Sequence, residues 1–127
     1  MLDPTVKRLA SGTNFAALTT LFADGRPHTN IMWIDADEDH VIFNTEIHRQ
    51  KYKNLKRDPR VTIAIVDSGN PYHYAEVRGR VVDEVRGDEA REHIDKLSEK
   101  YTSGPYRASI HSERVIIKVE PDYERHQ

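Results

Sequence analysis

At 127 residues the chain suffices for one domain with a core of its own, but 37% hydrophobic and 31% charged content is polar for that size and leaves room for a core shared with a second copy. It has no cysteine, which excludes a disulfide framework and a thiolate metal site and fits a cytoplasmic location. A net charge of −2 argues against a general nucleic-acid binder, no apolar run nears the roughly 18 residues of a membrane span, and the N-terminus lacks a basic-then-apolar leader.

Asp3-Pro4 reads as a helix cap followed by proline at the first helical position, with Val6 and Leu9 on one face and Ser11-Gly12-Thr13 as the stop. Asn14 to Phe22 is a nearly continuous run of small, apolar and threonine residues, a strand covered on both faces. Ala23-Asp24-Gly25-Arg26-Pro27 is a hairpin turn, and His28 to Asp35 returns as the second strand, with Asn30, Met32 and Ile34 opposite Thr29, Ile31 and Trp33. The turn Asp37-Glu38-Asp39 leads to a third strand, Val41 to Thr45.

A basic stretch comes next. From Arg49 to Arg60 there are six basic residues and one acid, a local charge of +5, so the rest of the chain carries −7. At helical spacing Tyr52 and Leu55 make a narrow apolar stripe; Arg49, Lys53 and Arg57 lie opposite it, and Lys51 and Asn54 project from another edge. Asp58-Pro59 ends the helix. Cations gathered at a strand end and a helix start favour a bound phosphate, because free N–H groups and the helix dipole already attract an anion there. Arg49 can fork onto two phosphate oxygens, Lys51 adds a point charge, and Asn44 and Thr45 can supply neutral hydrogen bonds. Lys53, Lys56 and Arg57 read as a solvated face that at most attracts an acidic tail, and Arg60 as the ion-pair partner of Asp58.

Val61 to Val66 is a β-branched fourth strand. Tyr72 to Val85 alternates most clearly, with Ala75, Val77, Gly79 and Val81 inward, and Gly79 marks a bulge or a tight corner. Gly87-Asp88 opens a helix whose Ala90, Ile94, Leu97 and Tyr101 share one face. Arg114 to Glu120 is the sixth strand; Pro121 is expected to stop it and leave Asp122 to Gln127 as a frayed tail. Hairpins and inward alternation predict a mainly β, six-stranded antiparallel barrel with helices at its ends, in one domain over residues 1–127. The seven histidines show no close pairing, so no metal site is expected.

Three pieces of this order resemble the split β-barrel of the pyridoxamine-5′-phosphate-oxidase-like superfamily of flavin and deazaflavin oxidoreductases. They are the hairpin Leu18 to His28, the run Arg49-Gln50-Lys51-Tyr52-Lys53-Asn54-Leu55-Lys56-Arg57-Asp58-Pro59-Arg60, and the glycine-containing strand Tyr74 to Val81. The run is similar to the signature Arg-x-Lys-x-x-Asn-Leu-x-x-Asp-Pro-Arg, and the resemblance is strongest to the branch that uses the deazaflavin coenzyme F420. It implies a homodimer with two cofactor grooves between subunits. The ring is then expected along Asn30, Ile31, Met32 and Trp33, and the phosphate near Asn44, Thr45, Arg49, Gln50, Lys51 and Asn54. Tyr72, His73 and Tyr74 of the partner subunit would close the groove. Trp33 suits either a dimer interface or a ring contact, while Tyr72 and Tyr74 suit the wall of a planar ligand.

The implied activity is hydride transfer between reduced F420 and an unsaturated or quinone-like small molecule. The cofactor carries that chemistry, so no catalytic acid or base is named beyond Tyr74 as a candidate proton donor. Lys53, Lys56 and Arg57 tilt the choice towards F420, whose oligoglutamate tail is acidic, over FMN. A non-catalytic cofactor carrier and an RNA-binding module are the rival classes, and the overall acidity disfavours the second. The chain ends before the C-terminal extension with which the family's true oxidases bind their substrate, so that activity is not expected.

Overall fold

In the computed structural model, which describes residues 1–127, Asp3 accepts the backbone N–H groups of Thr5 and Val6, and α1 (Pro4–Ser11) starts where its cap and proline predict. After it come β1 (Phe15–Leu21), β2 (Pro27–Trp33), β3 (Asp35–Ala36), β4 (Val41–Glu46), α2 (Gln50–Arg57), β5 (Arg60–Val66), β6 (Tyr74–Arg86), α3 (Asp88–Thr102) and β7 (Arg114–His126). Gly25 holds a φ of 88° in the β1–β2 turn, a conformation that strains any residue with a Cβ.

The strands form one antiparallel sheet in the order β2-β1-β5-β6-β7-β4-β3. Its edge strands β2 and β3 are separated in the chain by Ile34 alone, so the sheet curls until its edges approach, giving a half-barrel. The strand count is seven, not the expected six, because the run from His28 to Asp35 breaks at Ile34. There the N–H donates to the Tyr101 hydroxyl (3.0 Å) and the carbonyl accepts from Lys100 Nζ (2.6 Å). These α3 side chains satisfy a peptide group that has left the β1 ladder, and Asp35 and Ala36 then pair with Ile42 and Val41.

The last strand also corrects an expectation. It does not stop at Pro121: Tyr123 to His126 pair with Ala75 to Arg78 of β6. Pro121 lies opposite Gly79 at a register shift, where the ladder is already interrupted and a missing N–H costs little. The strands approach so closely there that a Cβ on Gly79 would lie 2.3 Å from the Glu120 carbonyl oxygen. Gly79→Ala is therefore expected to destabilise the fold by about 2–3 kcal/mol, read as a lower urea midpoint; an unchanged midpoint would show that the two strands can part there without cost.

Leu18, Phe43, Ile63, Ile65, Val77 and Ile117 build one core with Val6 and Leu9 of α1 and Tyr52 and Leu55 of α2. Helix α3 packs on the other side of β4, β6 and β7, where Ile42, Val85, Ala90 and Ile116 meet. On the outer face of β2, β1, β5 and β6, pairing lines up Trp33, Phe15, Val66 and Tyr74, with Ile31, Ala17 and Ala64 in the next row. Tyr101 of α3 packs on Phe15 and Trp33 at one end of that apolar face, yet Phe15 remains 50% and Ile31 66% exposed, so this chain covers the face only in part. No helix is long and apolar enough to cross a membrane.

Candidate functional site

Strand β4 runs into the start of α2, and this junction, β2 and α3 enclose a cleft of about 280 Å³. Ile31, Met32 and Trp33 line it from β2, and Asn44, Thr45, Arg49 and Lys51 line it from the β4–α2 junction. Met32 also packs against the core, whereas Trp33 turns outward and stacks on Tyr101 of α3 with ring centroids 5.1 Å apart and planes 4° from parallel. Tyr106 meets Trp33 edge-on at 6.1 Å.

Arg49 is the N-cap of α2, and no side chain caps the helix, so the first-turn N–H groups are left to other acceptors. Lys51, in that first turn, is 7% exposed. Burial, then the like charges of Arg49 and Arg114, pull its ammonium down to about 8. No acidic group offsets these effects.

Arg114, at the head of β7, brings a third cation. Its Nε donates to Asn44 Oδ1 (2.8 Å), its Nη1 to Glu46 Oε2 (3.3 Å), and its guanidinium lies 5.2 Å from the Tyr106 ring centre. Glu46 is 1% exposed and accepts the N–H groups of His111 (2.7 Å) and Ser112 (2.8 Å) through Oε1. Burial pushes its carboxyl up, but the Ser112 and His111 N–H groups, then Arg114 and His48, outweigh that and hold it below the ordinary glutamate value.

Other expected ligands stand elsewhere. Asn54 is fully buried and pins α2 to β1, donating to Thr20 Oγ1 (3.0 Å) and accepting from Gln50 Nε2 (2.8 Å), so neither Asn54 nor Gln50 lines the cleft. Asn30 also lies off the wall, and its Oδ1 is buried without a partner. Tyr72 is 82% exposed, His73 sits 3.4 Å from Asp67, and Tyr74 opens β6; all three lie outside this chain's cleft. Of the later cations, Lys56 pairs with Glu84 (3.3 Å), Arg57 donates to the Leu21 carbonyl and Asn54, and Arg60 pairs with Asp58 (2.8 Å). Lys53, Lys56 and Arg57 do not line the cleft, in keeping with their reading as a face outside it.

Phe15, Ile94, Leu97, Tyr106 and Arg114 complete the lining and were not expected from sequence as site residues. The signal for Arg114 was slight, one cation heading an apolar strand; the β4–β7 register, which sets it against Glu46, gives it meaning. No group of three or more metal-ligating side chains is set to hold an ion.

The family model described as pyridoxamine 5′-phosphate oxidase matches residues 2–127. A solved F420 reductase is 36% identical over 94% of each chain, with a TM-score of 0.82. A conserved hypothetical protein from Mycobacterium tuberculosis (24% identity, 99% of this chain and 84% of that one, TM-score 0.77) shares the fold. So does General Stress Protein 26 from Bacillus anthracis (17% identity, 96% and 90%, TM-score 0.71).

Proposed function

The chain belongs to the pyridoxamine 5′-phosphate oxidase family, in the branch of an F420 reductase, and from that premise we propose that it is an F420-dependent oxidoreductase. In this reading the cleft holds the cofactor's phosphate between Arg49, Lys51 and Arg114, and the acceptor is an unsaturated or quinone-like small molecule. The observation that carries it is Lys51. A cation buried among like charges with no acidic partner is costly unless an anion completes the site. The donor set fits a phosphate: one forked guanidinium at a helix cap, one ammonium, one anchored guanidinium and the Thr45 hydroxyl. Aromatic Trp33 and apolar Ile31 and Met32 suit a planar ring beside it.

Bound F420 supplies the hydride chemistry. Arg49, Lys51 and Arg114 bind its anionic end, Ile31 to Trp33 orient its ring, and the apolar wall excludes water. The single-chain cleft, at about 280 Å³, falls just below the usual range of ~300–1,000 Å³ for such sites. A second copy seated on the exposed face of Phe15 and Ile31 would bury that face and bring Tyr72, His73 and Tyr74 of the second copy to the groove as its missing wall. Tyr74 would then be the nearest candidate to deliver a proton.

Side-by-side fluorescence titration with F420 and FMN, with light scattering on the same samples, tests the reading. The expected result is a dimer that binds F420 at least about tenfold more tightly than FMN. The reverse preference would assign FMN, binding of neither would remove the cofactor site, and a persistent monomer would remove the two-chain groove.

A further inference from the structure

The amide of Asn44 is spent within the protein. Its Nδ2 donates to the Ala90 carbonyl (2.9 Å) and to His93 Nδ1 (3.0 Å), and its Oδ1 accepts from Arg114 Nε (2.8 Å). A carbonyl only accepts and a guanidinium only donates, so these two neighbours fix which way the amide points. His93 Nδ1 must then be the acceptor, and its proton sits on Nε2, facing Asp35 Oδ2 at 3.0 Å. Burial raises the Asp35 carboxyl, but His93, the Ala36 N–H and Lys100 outweigh that and hold it below the usual aspartate value, so it remains an acceptor. One polarised chain of hydrogen bonds therefore runs from Asp35 through His93 and Asn44 to Arg114, with Glu46 at its far end. The Nδ1–H tautomer does not fit. An Nδ1–H would face the Asn44 amide protons, and turning that amide over would set its protons against Arg114 and its oxygen against the Ala90 carbonyl.

We propose that His93 is a positioning residue for the anion site: its Nδ1 holds the Asn44 amide in place, and Asn44 in turn aims Arg114 into the cleft. The proposal rests on reading the cleft as an anion site and adds to it the residue that fixes the direction of Arg114. The charged groups that bear on the imidazole are Asp35 from β3, Glu46 of β4 and Arg114 from β7 by way of Asn44, and Lys100 of α3 by way of Asp35.

Inorganic sulfate is the probe, because it stays a dianion across the working range, and its affinity for the full chain is measured by calorimetry against pH. The wild type is expected to bind sulfate at neutral pH and to weaken as pH rises past the Lys51 value of about 8. His93→Asn places an amide oxygen at the Nδ1 position, where it can still accept from Asn44, and is expected to keep the affinity within about twofold. His93→Leu leaves the Asn44 donor unpaired and is expected to bind about tenfold more weakly at every pH, with the alkaline fall intact. An affinity in His93→Asn as low as that expected of His93→Leu, or a His93→Leu protein with wild-type affinity, overturns the proposal. Absence of sulfate binding by the wild type at any pH overturns the anion-site reading itself, and this proposal with it. Should His93→Leu fail to fold, the His93→Asn affinity still decides.

Discussion

Lys51→Met is expected to make the unliganded protein more stable while loosening its hold on an anionic cofactor about 100-fold, since a hydrogen bond to a charged group contributes ~1.5–3 kcal/mol. Both effects follow from one arrangement. The ammonium sits 7% exposed between Arg49 and Arg114, with no acidic partner to offset them. Its fall from 10.5 to about 8 corresponds to roughly 3 kcal/mol against the charged form. Methionine keeps the length and apolar stem of the side chain and removes the charge, so most of that cost, about 2 kcal/mol, should return as stability. Thermal unfolding and fluorescence titration read the two effects separately. Unchanged cofactor affinity would sink the phosphate assignment, and a less stable variant would show that Lys51 has a favourable partner in the empty fold.

The pH dependence of the same residue follows from its direction of shift. Above about pH 8 folded Lys51 releases its proton, while the unfolded chain keeps its own to the ordinary value of 10.5. The unfolded state then binds more protons, so stability rises with pH across that window. Lys51→Met should lack the rise. Cofactor affinity moves the other way, since binding favours the charged ammonium and weakens as pH climbs past about 8.

Glu46→Ala is expected to cost about 3–5 kcal/mol, the range for removing one partner of a buried ion pair. The carboxylate is 1% exposed and joins β4 to the segment before β7, accepting from the N–H groups of His111 and Ser112 and from Arg114. Its loss leaves two donors and a guanidinium without their acceptor. Because the folded value lies below the ordinary glutamate value of 4.5, its contribution is complete above about that pH and is lost as pH falls through the folded value. Glu46→Gln separates the parts. Its amide oxygen can still receive His111 and Ser112, but its amide protons oppose Arg114, so an intermediate loss of about 2 kcal/mol without this residue's acid dependence is expected. Urea unfolding at neutral and acid pH measures both variants, and wild-type stability in Glu46→Ala would overturn the anchoring role.

Local chemistry made much of the fold legible. Asp3-Pro4 set a helix start, Asp24-Gly25 a turn, alternating Ala75, Val77 and Gly79 a strand, and Ala90, Ile94 and Leu97 a helix face. These signals depend on neighbours within a turn or two, so they survive without knowledge of the rest of the molecule. The missed features depend on distant groups. Lys100 and Tyr101 break the second strand at Ile34, some sixty-six residues away in the chain, and Gly79 makes Pro121 harmless inside β7.

The same division runs through the candidate site. The sequence by itself determined that cations gather where a strand ends and a helix begins, because charge, cap and dipole are all written within Asn44 to Arg60. It could not sort them. In the fold Arg49 and Lys51 line the cleft, whereas Asn54 pins α2 to β1 and Lys56, Arg57 and Arg60 find partners elsewhere. Only the tertiary structure decided that Arg114 joins them and that Glu46, Asn44 and His93 hold it. Those contacts cross forty-six to seventy residues and arise from strand register and helix docking, and burial then pulls the Lys51 ammonium down beside them.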